Sequence, residues 1–172
     1  DTAYDINPVM DFFYNFLRFE KANLIFFNKD SHELITLKAK EYKIPASNIK
    51  IQSINRDQIP DAINQIDIGI FYLKNNYSIK ASMPTKIGEF LSMGKPFICN
   101  NFNKDIEFMI KNNKIGFLHD FDESLNSETV QELRALVFDK NVSSNCIKFA
   151  STYFSLNQGS SRYLAIYSEL LN

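Results

Sequence analysis

The sequence predicts an α/β protein, a three-layer, doubly wound parallel sheet with helices on both faces. Two observations carry this expectation. Short apolar runs of strand length alternate with segments whose apolar residues recur at helical spacing. The runs hold little polar content, as strands buried on both faces require. A third observation, that the chain opens on a helix and not on a strand, predicts a break in that sheet.

Asn7-Pro8 opens the first helix, a cap residue followed by a first-turn proline. Val9, Met10, Phe12, Phe13, Phe16, Leu17 and Phe19 give it so wide an apolar surface that the helix must be largely buried. Residues 24–27 form an apolar run of strand length, ended by the polar residues 28–30. Ser31 with Leu34 begins a second helix that runs to Tyr42 and stops ahead of Pro45. Ile49, Ile51 and Ile54 mark the next strand. Residues 57–60 start a third helix through Ile63 and Ile66, and 67–71 is another buried strand.

A polar loop, 74–80, leads into the stretch that organises the site. Pro84 suits the first turn of a helix, Ser82 lies upstream as a cap, and Gly94 follows the last turn, where a left-handed residue ends a helix. Residues 96–99 read as an apolar strand. A polar turn at 100–103 precedes a helix holding Ile106, Phe108, Met109 and Ile110, and 115–118 is a last short strand. The remainder is helical. Val130, Leu133, Val137 and Phe138 mark one amphipathic stretch, and Ile147, Phe149, Ala150, Tyr153 and Phe154 a second. Tyr163, Ile166, Tyr167, Leu170 and Leu171 mark the last. The aromatic stripes of the first and last helices are expected in the core.

The residues ahead of Asn7 contain no strand. A doubly wound unit starts with a strand that becomes central, in the order 3-2-1-4-5-6. Neighbouring strands lie ~4.8 Å apart, so its loss leaves a gap of about two spacings. The second and fourth strands of that order should then not bond directly. Residues 1–172 are expected to be one domain, a fragment of a longer protein whose first strand lies upstream or is replaced in the fold.

At 172 residues, 45% of them hydrophobic, the chain can bury a sizeable single core. A net charge of −1 gives no electrostatic case for nucleic acid. Cys99 and Cys146 have no near neighbour to complete a metal knuckle and read as buried thiols of a reducing compartment. His32 and His119 have no carboxylate or cysteine at ligand spacing, so structural or surface roles and no metal site are expected. Asp105 and Glu107 complement a helix dipole, and 120–123 reads as a solvated loop. No apolar run approaches the ~18 residues of a membrane span, and no signal peptide is visible. A cytoplasmic protein is expected, with membrane contact at most peripheral.

In open α/β sheets ligands sit outside the carboxyl ends of the strands. The loop after Phe71 and the helix beginning at Pro84 are at that edge. A helix start offers free N–H groups and partial positive charge, which suit a phosphate. Thr85 adds a hydroxyl and Lys86 a full charge. Glu89 lies ~7.5 Å beyond Pro84 along the axis at ~1.5 Å per residue, roughly the reach from a diphosphate to ribose hydroxyls. A carboxylate can accept two hydrogen bonds from a cis-diol. Gly88 costs ~1 kcal/mol in a helix relative to alanine, a cost that close approach of a ligand or a neighbouring backbone would explain. Spacing leaves a second reading open, an exposed Lys86–Glu89 pair of small energetic effect.

Residues 84–86 (Pro-Thr-Lys) followed by 88–98 (Gly-Glu-Phe-Leu-Ser-Met-Gly-Lys-Pro-Phe-Ile) resemble the nucleotide-sugar-binding segment of GT-B glycosyltransferases of the family 4 (group 1) type. There the pattern is P-x-K-x-x-E-[YF]-L-A-x-G-x-P-[VI]-[IV]. Residues 65–70 are similar to the family's preceding strand and 115–118 to its later one, so the resemblance covers nearly the whole chain as a C-terminal, Rossmann-like, donor-binding domain. It implies that Glu89 binds the ribose, and that Thr85 and the amides beside Pro84 and Ser82 face the diphosphate. Lys86 is implied nearby as a diphosphate stabiliser, and the base is implied around Ser53 and Asn55. The donor would be a nucleoside diphosphate sugar, with no further cofactor and no metal. The partner would be an N-terminal acceptor domain, and the pathway cell-surface polysaccharide synthesis. The resemblance also implies that the turn at 100–103 lies near the donor sugar. It implies too that the last helix contacts the acceptor domain, which would leave some of Tyr163, Tyr167 and Leu171 as an exposed interface. Retention of anomeric configuration is implied by family membership alone.

Two departures qualify this. Many family members carry two glutamates eight positions apart, and counting back from Glu89 reaches Ala81, flanked by Lys80 and Ser82 as candidates for a variant sugar pocket. The acceptor domain and the usual phosphate-binding Arg/Lys segment are also absent, so the isolated chain is expected to have no transferase activity. The alternative is a non-catalytic nucleotide-binding or assembly module on the same fold. An epimerase of related architecture would need carboxylates and a histidine around the cleft, a set that the sequence does not offer.

Overall fold

The computed structural model describes residues 3–29 and 32–171. Helix α1 (Ile6–Phe16) is capped by Asp5, whose carboxylate accepts from the Asn7 N–H at 3.0 Å. The cap is thus two residues ahead of the expected Asn7. Val9, Met10, Phe12 and Phe13 are buried, as its wide apolar face predicts. Strand β1 (Leu24–Phe27) and helix α2 (His32–Glu41) follow; the expected cap Ser31 lies outside the described residues. A 3-10 turn at Ala46–Asn48 leads into β2 (Ile49–Gln52), where the Asn48 side chain donates to the Ala22 carbonyl at 2.8 Å and ties the two strand starts together.

A second 3-10 turn precedes α3 (Ile59–Asn64), with Pro60 in its first turn. Then come β3 (Gly69–Ile70), a 3-10 turn (Tyr77–Ala81), α4 (Thr85–Ser92) and β4 (Phe97–Cys99). Gly94 closes α4 at φ 70°, the left-handed conformation expected of it. The chain continues through α5 (Lys104–Asn113), β5 (Gly116–Leu118), α6 (Ser127–Phe138), α7 (Val142–Tyr153) and α8 (Leu156–Leu170).

Among the described residues the strand ladders are all parallel. β1 pairs with β2, and β3, β4 and β5 pair in that order. Among the described residues no ladder joins β1 to β3, so the expected break is present. The two pieces share a face, because Leu24, Phe26, Ile49, Ile70, Ile98 and Phe117 join one apolar cluster with α1 and α2. On the other face Phe71, Phe97, Cys99 and Ile115 pack with α4, α5 and α7. Helices therefore flank β3–β5 on both sides. The β1–β2 piece is less covered. Only Leu24 of its eight residues is fully buried, whereas a doubly covered parallel sheet would bury most of them.

Cys99 and Cys146 are buried free thiols, in the strand and the helix expected of them. The last helix departs from the core packing that its aromatic stripe predicts. α8 has no buried residue, and its stripe of Tyr163, Ile166, Tyr167, Leu170 and Leu171 faces outward, not into the core. Helical spacing shows that an apolar face exists and not what covers it. Among the described residues no helix is long and apolar enough to cross a membrane.

Candidate functional site

The start of α4 is held from three directions. Asn100, buried at the end of β4, grips Leu73 by both backbone groups, accepting from its N–H at 2.9 Å and donating to its carbonyl at 3.1 Å. This fixes where the chain leaves β3. Asn76 then caps the 3-10 turn by accepting from the Ile79 N–H at 3.1 Å. Asn103 has two tasks: its amide donates to the Ser82 carbonyl at 3.0 Å while its oxygen caps α5 through the Ile106 N–H at 2.9 Å. The backbone entering α4 is thereby tied to the start of α5.

Ser82 does not cap α4. Its hydroxyl donates back to the Ile79 carbonyl at 3.1 Å, and its backbone ends the 3-10 turn. Buried Pro84 is the cap residue, one position earlier than a first-turn proline, and its carbonyl accepts from the Ile87 N–H at 3.1 Å. No side chain caps this helix, and the Thr85 and Lys86 N–H groups have no acceptor among the described residues. Two amides at the positive end of a helix thus point outward beside the exposed Thr85.

Lys86 is partly buried, with its ammonium 3.6 Å from the centre of the Tyr4 ring and 5.9 Å from that of Phe71. It forms no ion pair among the described residues, whereas Lys38, Lys111 and Arg134 each have a carboxylate partner. Burial lowers the Lys86 pKa, and the nearby Glu89 charge opposes this. Burial raises the Tyr4 pKa, with Glu89 adding to the rise. Glu89 is exposed one turn beyond the helix start, and its carboxylate makes no hydrogen bond or ion pair among the described residues. A first helical turn that carries two open amides and an ammonium without an ion pair among the described residues, with a carboxylate on the next turn, can receive an anionic group carrying hydroxyls.

Gly88 has a different role from the one expected. A Cβ there would lie 3.1 Å from the Phe154 ring, so the missing side chain admits the end of α7 and not a ligand. Lys80 and Ala81 are exposed in the 3-10 turn. Beside that turn a polar cavity of about 240 Å³ opens at the carboxyl ends of β3, β4 and β5, lined by Lys74, Asn76, Asn100, Asn101, Asp120 and Phe121 among others.

Ser53 and Asn55 follow β2, across the break from α4. The Ser53 hydroxyl lies 3.1 Å from His32 Nε2, which is itself 2.8 Å from the Asn28 carbonyl, so these groups close the ends of β1 and β2 on each other. Asn55 forms a capping box with Gln58. Among the described residues no hydrogen bond joins either residue to the α4 turn. Tyr4 was not legible as a site residue, since it stands alone ahead of α1 and belongs to no periodic pattern. Glu107, at the start of α5, pairs with Lys111 at 2.5 Å, and that hydrogen bond holds its carboxyl below the usual range.

Fold and site together define an α/β domain with an uncapped, cation-bearing helix start at the carboxyl edge of parallel strands. No family model matches the chain, and no curated protein matches it.

Proposed function

We propose that residues 1–172 are the donor-binding domain of a GT-B glycosyltransferase of the family 4 (group 1) type, a Rossmann-like domain that binds a nucleoside diphosphate sugar. The observation that supports this best is the α4 turn, where two open amides and the unpaired Lys86 ammonium stand one turn ahead of Glu89. The resemblance of residues 84–98 to the family pattern supports it independently.

In the proposed reaction the bond from the anomeric carbon to the diphosphate breaks. The acceptor hydroxyl, held elsewhere, bonds to that carbon as its proton passes to an oxygen of the departing diphosphate. Negative charge grows on the departing diphosphate. Fixed amides and an ammonium stabilise that charge without needing to reorganise, and Glu89 takes the ribose hydroxyls. Ala81, where related patterns carry a glutamate, favours a second reading, a nucleotide-binding or assembly module without transfer. Cell-surface polysaccharide synthesis on the cytoplasmic side is the proposed setting, with an acceptor domain as partner.

Titration calorimetry with UDP and GDP tests the shared part of both readings. Lys86→Gln removes a charge-assisted contact and should weaken binding about tenfold or more. Absence of binding to either nucleotide, in a protein with native circular dichroism, rejects the site.

A further inference from the structure

We propose that Tyr4 is a positioning residue of the α4 site, its ring face holding the Lys86 ammonium at the helix start for an incoming phosphate, an inference that rests on the nucleotide reading of that turn.

Tyr4 is fixed by backbone. It bridges Leu73 in antiparallel fashion, with the Asp5 N–H donating to the Tyr72 carbonyl at 2.9 Å and the Lys74 N–H donating to the Ala3 carbonyl at 2.9 Å. Its ring stands edge-on to Phe71, centroids 6.1 Å apart at 85°. The Lys86 ammonium, 3.6 Å above the Tyr4 face, therefore sits against two rings anchored to the end of β3.

The chemistry of that contact matters. A carboxylate in the same place would neutralise the charge and occupy its N–H donors, as Glu107 does for Lys111 and Glu41 for Lys38. A ring face attracts the cation through its quadrupole while leaving the full charge in place. N–H groups on the side away from the ring remain available to an acceptor. A lysine stem otherwise loses considerable rotamer freedom when its head is immobilised on binding. Here that freedom is already restricted, so a phosphate arriving at the Thr85 and Lys86 amides meets a cation already in position.

The test combines two readouts on the whole chain. Proton NMR reports the contact directly, because a ring face shields the Lys86 ε-methylene protons and moves them upfield. That shift should be present in the wild type and in Tyr4→Phe and lost in Tyr4→Leu. Calorimetry with UDP and GDP should then show Tyr4→Leu binding about tenfold more weakly, with Tyr4→Phe within about twofold of wild type. Tyr4→Met, unbranched and apolar, repeats the comparison if Tyr4→Leu does not fold. Equal affinity of the wild type and the ringless variants overturns the role of Tyr4 and leaves the nucleotide site standing. No binding by the wild type overturns both, and an unshifted Lys86 methylene in the wild type overturns the contact itself.

Discussion

The phenol of Tyr72 and the imidazole of His119 meet in the core, hydroxyl to Nδ1 at 2.8 Å, while His119 Nε2 is buried without a partner among the described residues. The Phe12 ring stands edge-on to the imidazole at 4.9 Å, so the pair joins β3 and β5 to α1. Protonation would place an N–H on both ring nitrogens, and Nε2 has nothing to donate to. Burial lowers the His119 pKa, with Glu123, Asp120 and Asp11 opposing, and burial raises that of Tyr72.

The consequence for stability has a definite sign. Below its ordinary pKa of ~6.5 an unfolded histidine binds a proton that the folded His119 resists. The unfolded state then holds more protons, so stability is complete above about pH 6.5 and falls as the pH drops toward the lowered folded value. Urea denaturation at pH 7.5 and pH 5.5 should show this loss in the wild type, with less of it in His119→Asn. Equal pH dependence in the two proteins would assign the loss to other groups.

Asn100 is a second buried polar group with a structural task. Asn100→Ala leaves the Leu73 N–H and carbonyl without their partner, at ~1–3 kcal/mol for each group left unsatisfied. Loss of roughly 2 kcal/mol or more in chemical denaturation is expected. Because the same side chain fixes the exit from β3 toward α4, nucleotide affinity should fall as well.

At the break between β1 and β3 backbone groups are unpaired among the described residues. Ile25 and Phe27 face away from β2, and Ile70 faces away from β4, as the registers require. Amide hydrogen exchange should be rapid at these three residues and slow at Phe97, Ile98 and Cys99, which lie between two partner strands. Slow exchange at Ile25, Phe27 and Ile70 would mean that something pairs with that edge.

That break was legible from the sequence because it follows from counting. No apolar run of strand length lies between those of β1 and β2 and that of β3, so the sequence supplies no strand to join the two pieces. Strand β4 and the left-handed Gly94 were legible for local reasons, an apolar triplet between polar turns and a glycine after a helical turn. Local signals failed where two residues compete for one task. Asp5 and Asn7 are both capping types two positions apart, and Asp5 is the one used. They also failed where the partner is distant in sequence. Nothing near Gly88 announces Phe154, nothing near Tyr4 announces Lys86, and the spacing of α8 says nothing of its exposure. Of the candidate site, Thr85, Lys86 and Glu89 come together on one helix start. Ser53 and Asn55 lie across the break and are engaged in local structure.

The central claim is that the turn from Pro84 to Glu89 receives a diphosphate at its amides and a ribose at its carboxylate. The most direct measurement compares UDP with 2′-deoxy-UDP, and GDP with 2′-deoxy-GDP, by calorimetry in the wild type and in Glu89→Ala. One hydrogen bond to a charged group is worth ~1.5–3 kcal/mol, so the wild type should prefer the ribonucleotide by about tenfold or more. Glu89→Ala should bind more weakly and lose that preference. A wild type that binds ribo- and deoxyribonucleotide alike, or a Glu89→Ala protein that keeps the full preference, would contradict the claim.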